Sequence, residues 1–160
     1  MASPCAHTPQ SRRGLTGAGL AAELASAEDR CSAGGGKLTA PRRRALEMLL
    51  AAGQPVKAYE LVQAFHAGGG AAKPPTVYRA LDFLERQGFA HRIESLNAYV
   101  ACRHGARSHP AAFLICDCCG ATAEVDGPAE TVAEALDGAA GFALTSVSIE
   151  AHGLCAACRG

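Results

Sequence analysis

Apolar residues recur along this chain at two spacings, and the spacing changes part-way. Through residue 86 the repeat is helical. Leu20 and Leu24 fall on one face of a helix predicted over Leu20–Cys31, which Gly34-Gly35-Gly36 ends. Ala45, Leu46, Leu49 and Leu50 share a face of a second helix, with Thr39 as its cap and Pro41 in a first turn that needs no N–H. Leu61, Val62 and Phe65 mark a third helix over Val56–Phe65. Val77, Ala80, Leu81 and Leu84 keep the i, i+3, i+4, i+7 spacing in a fourth, begun at Pro75 and ended by Gly88. After that the apolar segments are short and alternating. Phe89–Glu94 and Ala98–Cys102 read as a hairpin turning through Ser95-Leu96-Asn97. Ala112–Ile115, Thr122–Asp126 and Phe142–Glu150 read as three further strands, with a helix over Pro128–Leu136.

Helices followed by a hairpin, then a second group of strands with one helix, make an α+β chain. The first part has the order of a winged helix over residues 18–102. On its fourth helix Thr76, Tyr78 and Arg79 lie away from the apolar face, towards the N-terminal end. Arg reaches guanine or phosphate, and Thr or Tyr reaches phosphate or a thymine methyl, so this face has the chemistry of a recognition helix in a major groove. Residues 103–111 read as a linker and 112–160 as a small α/β domain. Residues 1–17, rich in Ser, Pro, Gly and Arg and without periodicity, read as a disordered tail.

Composition sharpens this division. The 160 residues carry no net charge, yet residues 1–92 hold 12 Lys and Arg against 7 Asp and Glu, while 93–160 hold 3 against 8. A basic half before an acidic half suggests two modules, the first with an anionic partner such as nucleic acid. Arg42, Arg43 and Arg44 open the second helix, where cations oppose the helix dipole. They are either a solvated cluster or a placement that phosphates offset. No apolar run approaches the roughly 20 residues of a membrane span. The start lacks an apolar signal region, and eight cysteines then argue for a reducing cytoplasm and metal binding instead of disulfides.

The strongest chemical signal is a pair of C-x-x-C motifs, Cys116/Cys119 and Cys155/Cys158. Four thiolates so spaced suit a closed tetrahedral zinc site. Gly120 lets the backbone curl and turn its N–H groups towards sulfur. Cys118 lies inside the first motif and is the rival ligand there. A closed site leaves no position for substrate, and no nucleophile–base motif appears, so an enzyme is not expected.

Lys37-Leu-Thr-Ala-Pro-Arg, Pro75-Thr-Val-Tyr-Arg-Ala-Leu, the two C-x-x-C pairs and Glu150-Ala-His-Gly-Leu-Cys155 together resemble the ferric uptake regulator family of bacterial metal sensors. Over about residues 19–159 they look most like its zinc-sensing branch, the zinc uptake regulators. The resemblance implies an N-terminal winged-helix DNA-binding domain followed by a small α/β dimerisation domain with a four-cysteine zinc site. It implies a homodimer that binds double-stranded, A·T-rich operator DNA when loaded with zinc and represses zinc-uptake genes. It also implies a regulatory zinc besides the structural one, at His91, Cys102, His109 and Glu124.

The residues support that set in their own right. In a hairpin turning near Leu96 paired numbers sum to about 192, so His91 and Cys102 lie close together at its base. A mixed set with a thiolate favours zinc over iron. His104 rivals His109, and His152 either joins a further site or bonds the backbone. At the DNA the resemblance implies Tyr59, Tyr78 and Arg79, with Lys37 near the minor groove, beside the Thr76 read from the helix itself. An iron or peroxide sensor of the same family is the alternative. The His-rich run typical of iron sensors is replaced here by Ala101-Cys-Arg-His-Gly-Ala-Arg-Ser-His109. A zinc-stabilised partner-binding module without DNA is the remaining possibility.

Overall fold

The computed structural model describes residues 14–67, 73–102 and 109–159, except the side chains of 66 and 67. They form two compact units, one within Arg12–Ser108 and one within His109–Gly160. Of the expected linker, residues 103–108, including His104, lie outside the described residues. So do residues 1–13 of the expected tail. The end of that tail is built into the first unit. Leu15 donates its N–H to the Leu50 carbonyl at 2.9 Å, and the first helix starts at Gly17.

The first unit runs α1 (Gly17–Ala33), α2 (Ala40–Ala52), β1 (Val56–Lys57), α3 (Ala58–Ala67), α4 (Pro74–Arg86), β2 (Ala90–Ile93) and β3 (Ala98–Ala101). Its core joins Leu24 and Cys31 of α1, Leu46 and Leu49 of α2, Leu61 and Phe65 of α3, and the Val77–Leu84 stripe of α4. Leu49, Leu61, Leu81 and Leu84 are wholly shielded. Each such burial stabilises the fold by roughly 1.5–3 kcal/mol relative to exposure. Thr39 stands at the α2 N-cap with an extended backbone, but its hydroxyl makes no cap bond; its carbonyl accepts the Arg43 N–H at 2.8 Å.

The helix predicted from Val56 begins two residues later than expected. Val56 and Lys57 pair instead with Tyr99 and Ala98 of β3, giving an antiparallel sheet ordered β1-β3-β2. Pro55 and the β-branched Val56 favour extended backbone. The helix then takes over where Glu60 accepts the Lys57 N–H at 3.2 Å. Asn97 turns the hairpin with φ 46°, which Asn tolerates better than most residues. Its carbonyl accepts the N–H of Ala58 at 3.2 Å, tying the wing to the start of α3.

The second unit contains β4 (Ala111–Cys116), β5 (Thr122–Val125), α5 (Pro128–Leu136), a single 3-10 turn at Ala139–Gly141, and β6 (Ser148–Gly153). The sheet is ordered β5-β4-β6, with β5 antiparallel and β6 parallel to β4. The strand expected over Phe142–Glu150 is displaced towards the C-terminus. β4 aligns its six residues with Ser148–Gly153, leaving no partner row for 142–146. Phe142 is accordingly 71% exposed, in a loop whose alternation does not come from a sheet.

Candidate metal centre and nucleic-acid interface

Parallel pairing sets up the cysteine cluster. β4 and β6 run side by side and end at the same edge, with Cys116 opposite Gly153. The first pair therefore sits on the exit of β4 and the second on the exit of β6. One sulfur from each of Cys116, Cys119, Cys155 and Cys158 lies within 4.8 Å of the others. Cys119 and Cys155 sulfurs are 3.8 Å apart. Cys118 is not one of the four. Gly120, at φ 73°, closes the first turn by donating its N–H to the Cys116 carbonyl at 2.9 Å.

The electrostatics of these thiols fit a cation. The backbone N–H of Cys119, with those of Cys155 and Cys118, lowers the Cys116 thiol to about 6. Cys155 donates that bond to Cys116 Sγ at 3.3 Å. Burial, with the thiols of Cys155, Cys119 and Cys116 beside it, raises Cys158 to about 12. One thiolate forms readily and the last does not, because each ionised sulfur opposes the next. A soft dication compensates that repulsion, and four sulfurs are the donor set zinc takes in closed sites.

The other four candidates fall two in each unit. His91 lies on β2 opposite Val100 and is buried. Beyond β3, Cys102 donates its N–H to the Phe89 carbonyl at 3.0 Å, continuing the ladder. Cys102 is two residues past Val100, hence on the same sheet face as His91 and diagonal to it. In the second unit Glu124 stands on β5 opposite Phe113, its carboxylate side chain 5% exposed. His109 Nδ1 lies 2.8 Å from the Pro110 carbonyl, which can only accept. The neutral ring thus turns a lone pair on Nε2 towards Glu124 Oε1, 3.9 Å away. Two acceptors so placed are reconciled by a proton or a metal ion.

The groove-reading face expected on α4 is open. The inward residues Val77, Ala80, Leu81 and Leu84 are at most 2% exposed, whereas Tyr78 is 43% exposed. Arg79 is exposed and Thr76 half-buried beside it. Among the described residues Arg79 forms no ion pair. Lys37 is exposed ahead of α2. Tyr59, at the start of α3, is not a core residue: it is 53% exposed and donates its hydroxyl to Glu60 Oε1 at 3.2 Å. That bond raises its acidity constant above the usual phenol value.

Two features escaped the sequence reading. The three arginines of α2 are neither a solvated cluster nor open to phosphate. Arg43 pairs with Glu28 at 2.8 Å, Arg44 with Glu47 at 3.2 Å, and Arg42 stacks on Phe83. His152 neither joins a further metal set nor bonds the backbone among the described residues; its Nδ1 is 2.9 Å from Asp117 Oδ1. An Asp directly after Cys116 was the available signal, since it faces the exit of any strand paired in parallel with β4.

Together these features define a winged-helix protein joined to a sheet closed by a four-thiol metal knuckle. The ferric uptake regulator family model matches residues 33–152. The zinc uptake regulation protein of Escherichia coli (strain K12) is 44% identical over 138 residues, 84% of this chain and 80% of that protein. The chain belongs to the ferric uptake regulator family. Among solved structures, a zinc uptake regulator complexed with zinc and DNA is 42% identical, covers 88% of this chain and 95% of its own, and superposes with a TM-score of 0.77. The crystal structure of holo XcZur is 44% identical, covers 86% and 97%, and has a TM-score of 0.75.

Proposed function

We propose that the chain is a zinc-responsive repressor of zinc-uptake genes that binds A·T-rich operator DNA as a zinc-loaded homodimer. One observation carries this reading. The winged helix presents an open Thr76–Tyr78–Arg79 face, and the wing behind it holds His91 and Cys102 on one side of the sheet. A metal ligand pair is thus built into the DNA-reading unit itself. Likeness to zinc uptake regulators, one of them complexed with zinc and DNA, supports the same reading.

Cys116, Cys119, Cys155 and Cys158 would hold one structural zinc per protomer. His91, Cys102, His109 and Glu124 would hold a second, regulatory one. Bound there, zinc supplies a fixed centre for four ligands drawn from both units. Sharing ligands restricts how the units are arranged, and so the spacing of two α4 helices in a dimer. A symmetric dimer needs those helices about 34 Å apart, one DNA turn, or at a multiple of it. By linkage, DNA must then tighten zinc as much as zinc tightens DNA.

The open face of the second sheet suits a second copy of the chain. Leu114 is 49% exposed and Leu154 51%, and they border a cavity of about 400 Å³ with Ala123 and Ala151. The role is a regulator's, not an enzyme's, and its place is the cytoplasm, where the DNA is. Among the described residues no helix is long and apolar enough to cross a membrane.

The test is a gel shift on A·T-rich promoter DNA, titrated separately with free zinc and iron(II), for the parent and for Cys102→Ser. The parent should tighten on DNA with zinc and not with iron. Cys102→Ser should stay a folded dimer with one zinc and lose the response. A variant that responds to zinc as the parent does would remove Cys102 from the regulatory set.

A further inference from the structure

Arg42 is the one member of the arginine triplet without a carboxylate partner among the ion pairs of the described residues. Its guanidinium carbon lies 3.5 Å from the centroid of the Phe83 ring, on α4. Its Nη1 donates to the Lys37 carbonyl at 2.7 Å. Phe83 is half-buried against the core, four residues after Arg79 and so next to it on the helix surface. The chain ahead of Lys37 lies on the same ring. A Cβ built on Gly36 would stand 3.7 Å from Phe83 Cζ and 3.1 Å from Cys31 Sγ. Arg42 therefore touches two parts of the DNA-reading unit at once, the segment that carries Lys37 and the helix that carries Arg79. A cation in the first turn of α2 opposes the helix dipole. The ring face and the carbonyl offset that cost.

We propose that Arg42 is a positioning residue for DNA binding. By stacking on Phe83 and holding the Lys37 carbonyl, it fixes Lys37 relative to the face of α4. The proposal rests on the reading that this unit binds DNA. It assigns Arg42 a role distinct from that of a phosphate contact, which the same charge in the same turn would otherwise suggest. Lys cannot replace Arg here, since it lacks the planar group that stacks and the fork that reaches a carbonyl from the stacked position.

The experiment measures affinity against salt, with zinc-loaded protein and the duplex that the parent selects best from a randomised pool. Variants are Arg42→Lys, Phe83→Leu, Lys37→Ala and Lys37→Ala/Arg42→Lys. Arg42→Lys, which keeps the charge, should weaken binding about three- to tenfold with the parent's salt slope. Phe83→Leu, which never carried a charge, should do the same. Once Lys37 is removed, Arg42→Lys should cost less than about twofold, because there is nothing left to position. Thermal melts identify any variant that is simply unfolded, and Arg42→Lys is the mildest of them. Arg42→Lys binding as the parent does would overturn the proposal. So would losses that add in the double variant, or a slope reduced by about 1, the signature of a lost phosphate contact. A parent that binds no duplex at any salt would refute the DNA reading itself, and this proposal with it.

Discussion

Replacing Arg79 by Ala separates DNA recognition from folding more cleanly than any other change in this chain. Arg79 is exposed and makes no ion pair among the described residues, while its neighbours Val77 and Ala80 remain buried. Ala is the best helix former, so the substitution should move stability by no more than about 0.5 kcal/mol. If Arg79 reads a base edge, each half-site loses about 1–3 kcal/mol. A symmetric dimer carries the change twice, so the cost doubles to about 2–6 kcal/mol, or at least roughly 30-fold in affinity. Fluorescence anisotropy with labelled duplex, repeated over a salt series and on duplexes altered one base pair at a time, reads all of this. Preference should relax at one position per half-site, at an unchanged melting temperature. A uniform loss on every sequence, with a shallower salt slope, would show a phosphate contact instead. Affinity within about twofold of the parent on every duplex would refute any role for Arg79 at the interface.

Cys116→Ser should lose the cluster zinc and lower the melting temperature, whereas Cys118→Ser should keep the zinc; metal content after dialysis and calorimetry decide between the two. In reduced, chelated protein the Cys116 thiol is held at about 6 against an ordinary value of 9.0, chiefly by the Cys119 N–H. Its contribution is therefore present above pH 9 and lost as pH falls towards 6, so the melting temperature of the second unit should fall over that window, and fall less in Cys116→Ser. Leu81→Ala removes a wholly buried side chain from the inward face of α4. It should cost about 2–5 kcal/mol in denaturant unfolding, and a loss under about 1 kcal/mol would mean that α4 does not close this core.

The helices are legible in the sequence because their apolar stripes are local. Val77, Ala80, Leu81 and Leu84 announce both the helix and its buried side from spacing alone. The cluster is legible for a related reason: C-x-x-C fixes the geometry within each pair, and only a few ways exist to bring two pairs together. What escapes is non-local. Val56 and Lys57 form a strand because β3, some forty residues on, offers them an edge. The last strand lies later than its alternation suggests because its position depends on parallel register with β4. The arginine triplet is hidden similarly. Charge and helix position are visible in sequence, but Glu28, Glu47 and Phe83 reach those arginines only in the folded unit.

The parallel alignment of β4 with β6 also orders events in time. β4 is the central strand, yet its second neighbour is the last strand of the described chain to leave the ribosome. Until Ser148–Gly153 has been made, the sheet is only a hairpin, and two strands are marginal by themselves. The helical unit faces no such wait, since its contacts are mostly local and form quickly. Cys116 and Cys155 are 39 residues apart, and tying them through one ion restrains the open chain much as a covalent cross-link would. By the loop-entropy relation for cross-links that is about 4 kcal/mol. A chain completed when zinc is scarce would therefore carry a finished DNA reader on an unfinished sheet, and zinc supply during synthesis would set how many molecules mature.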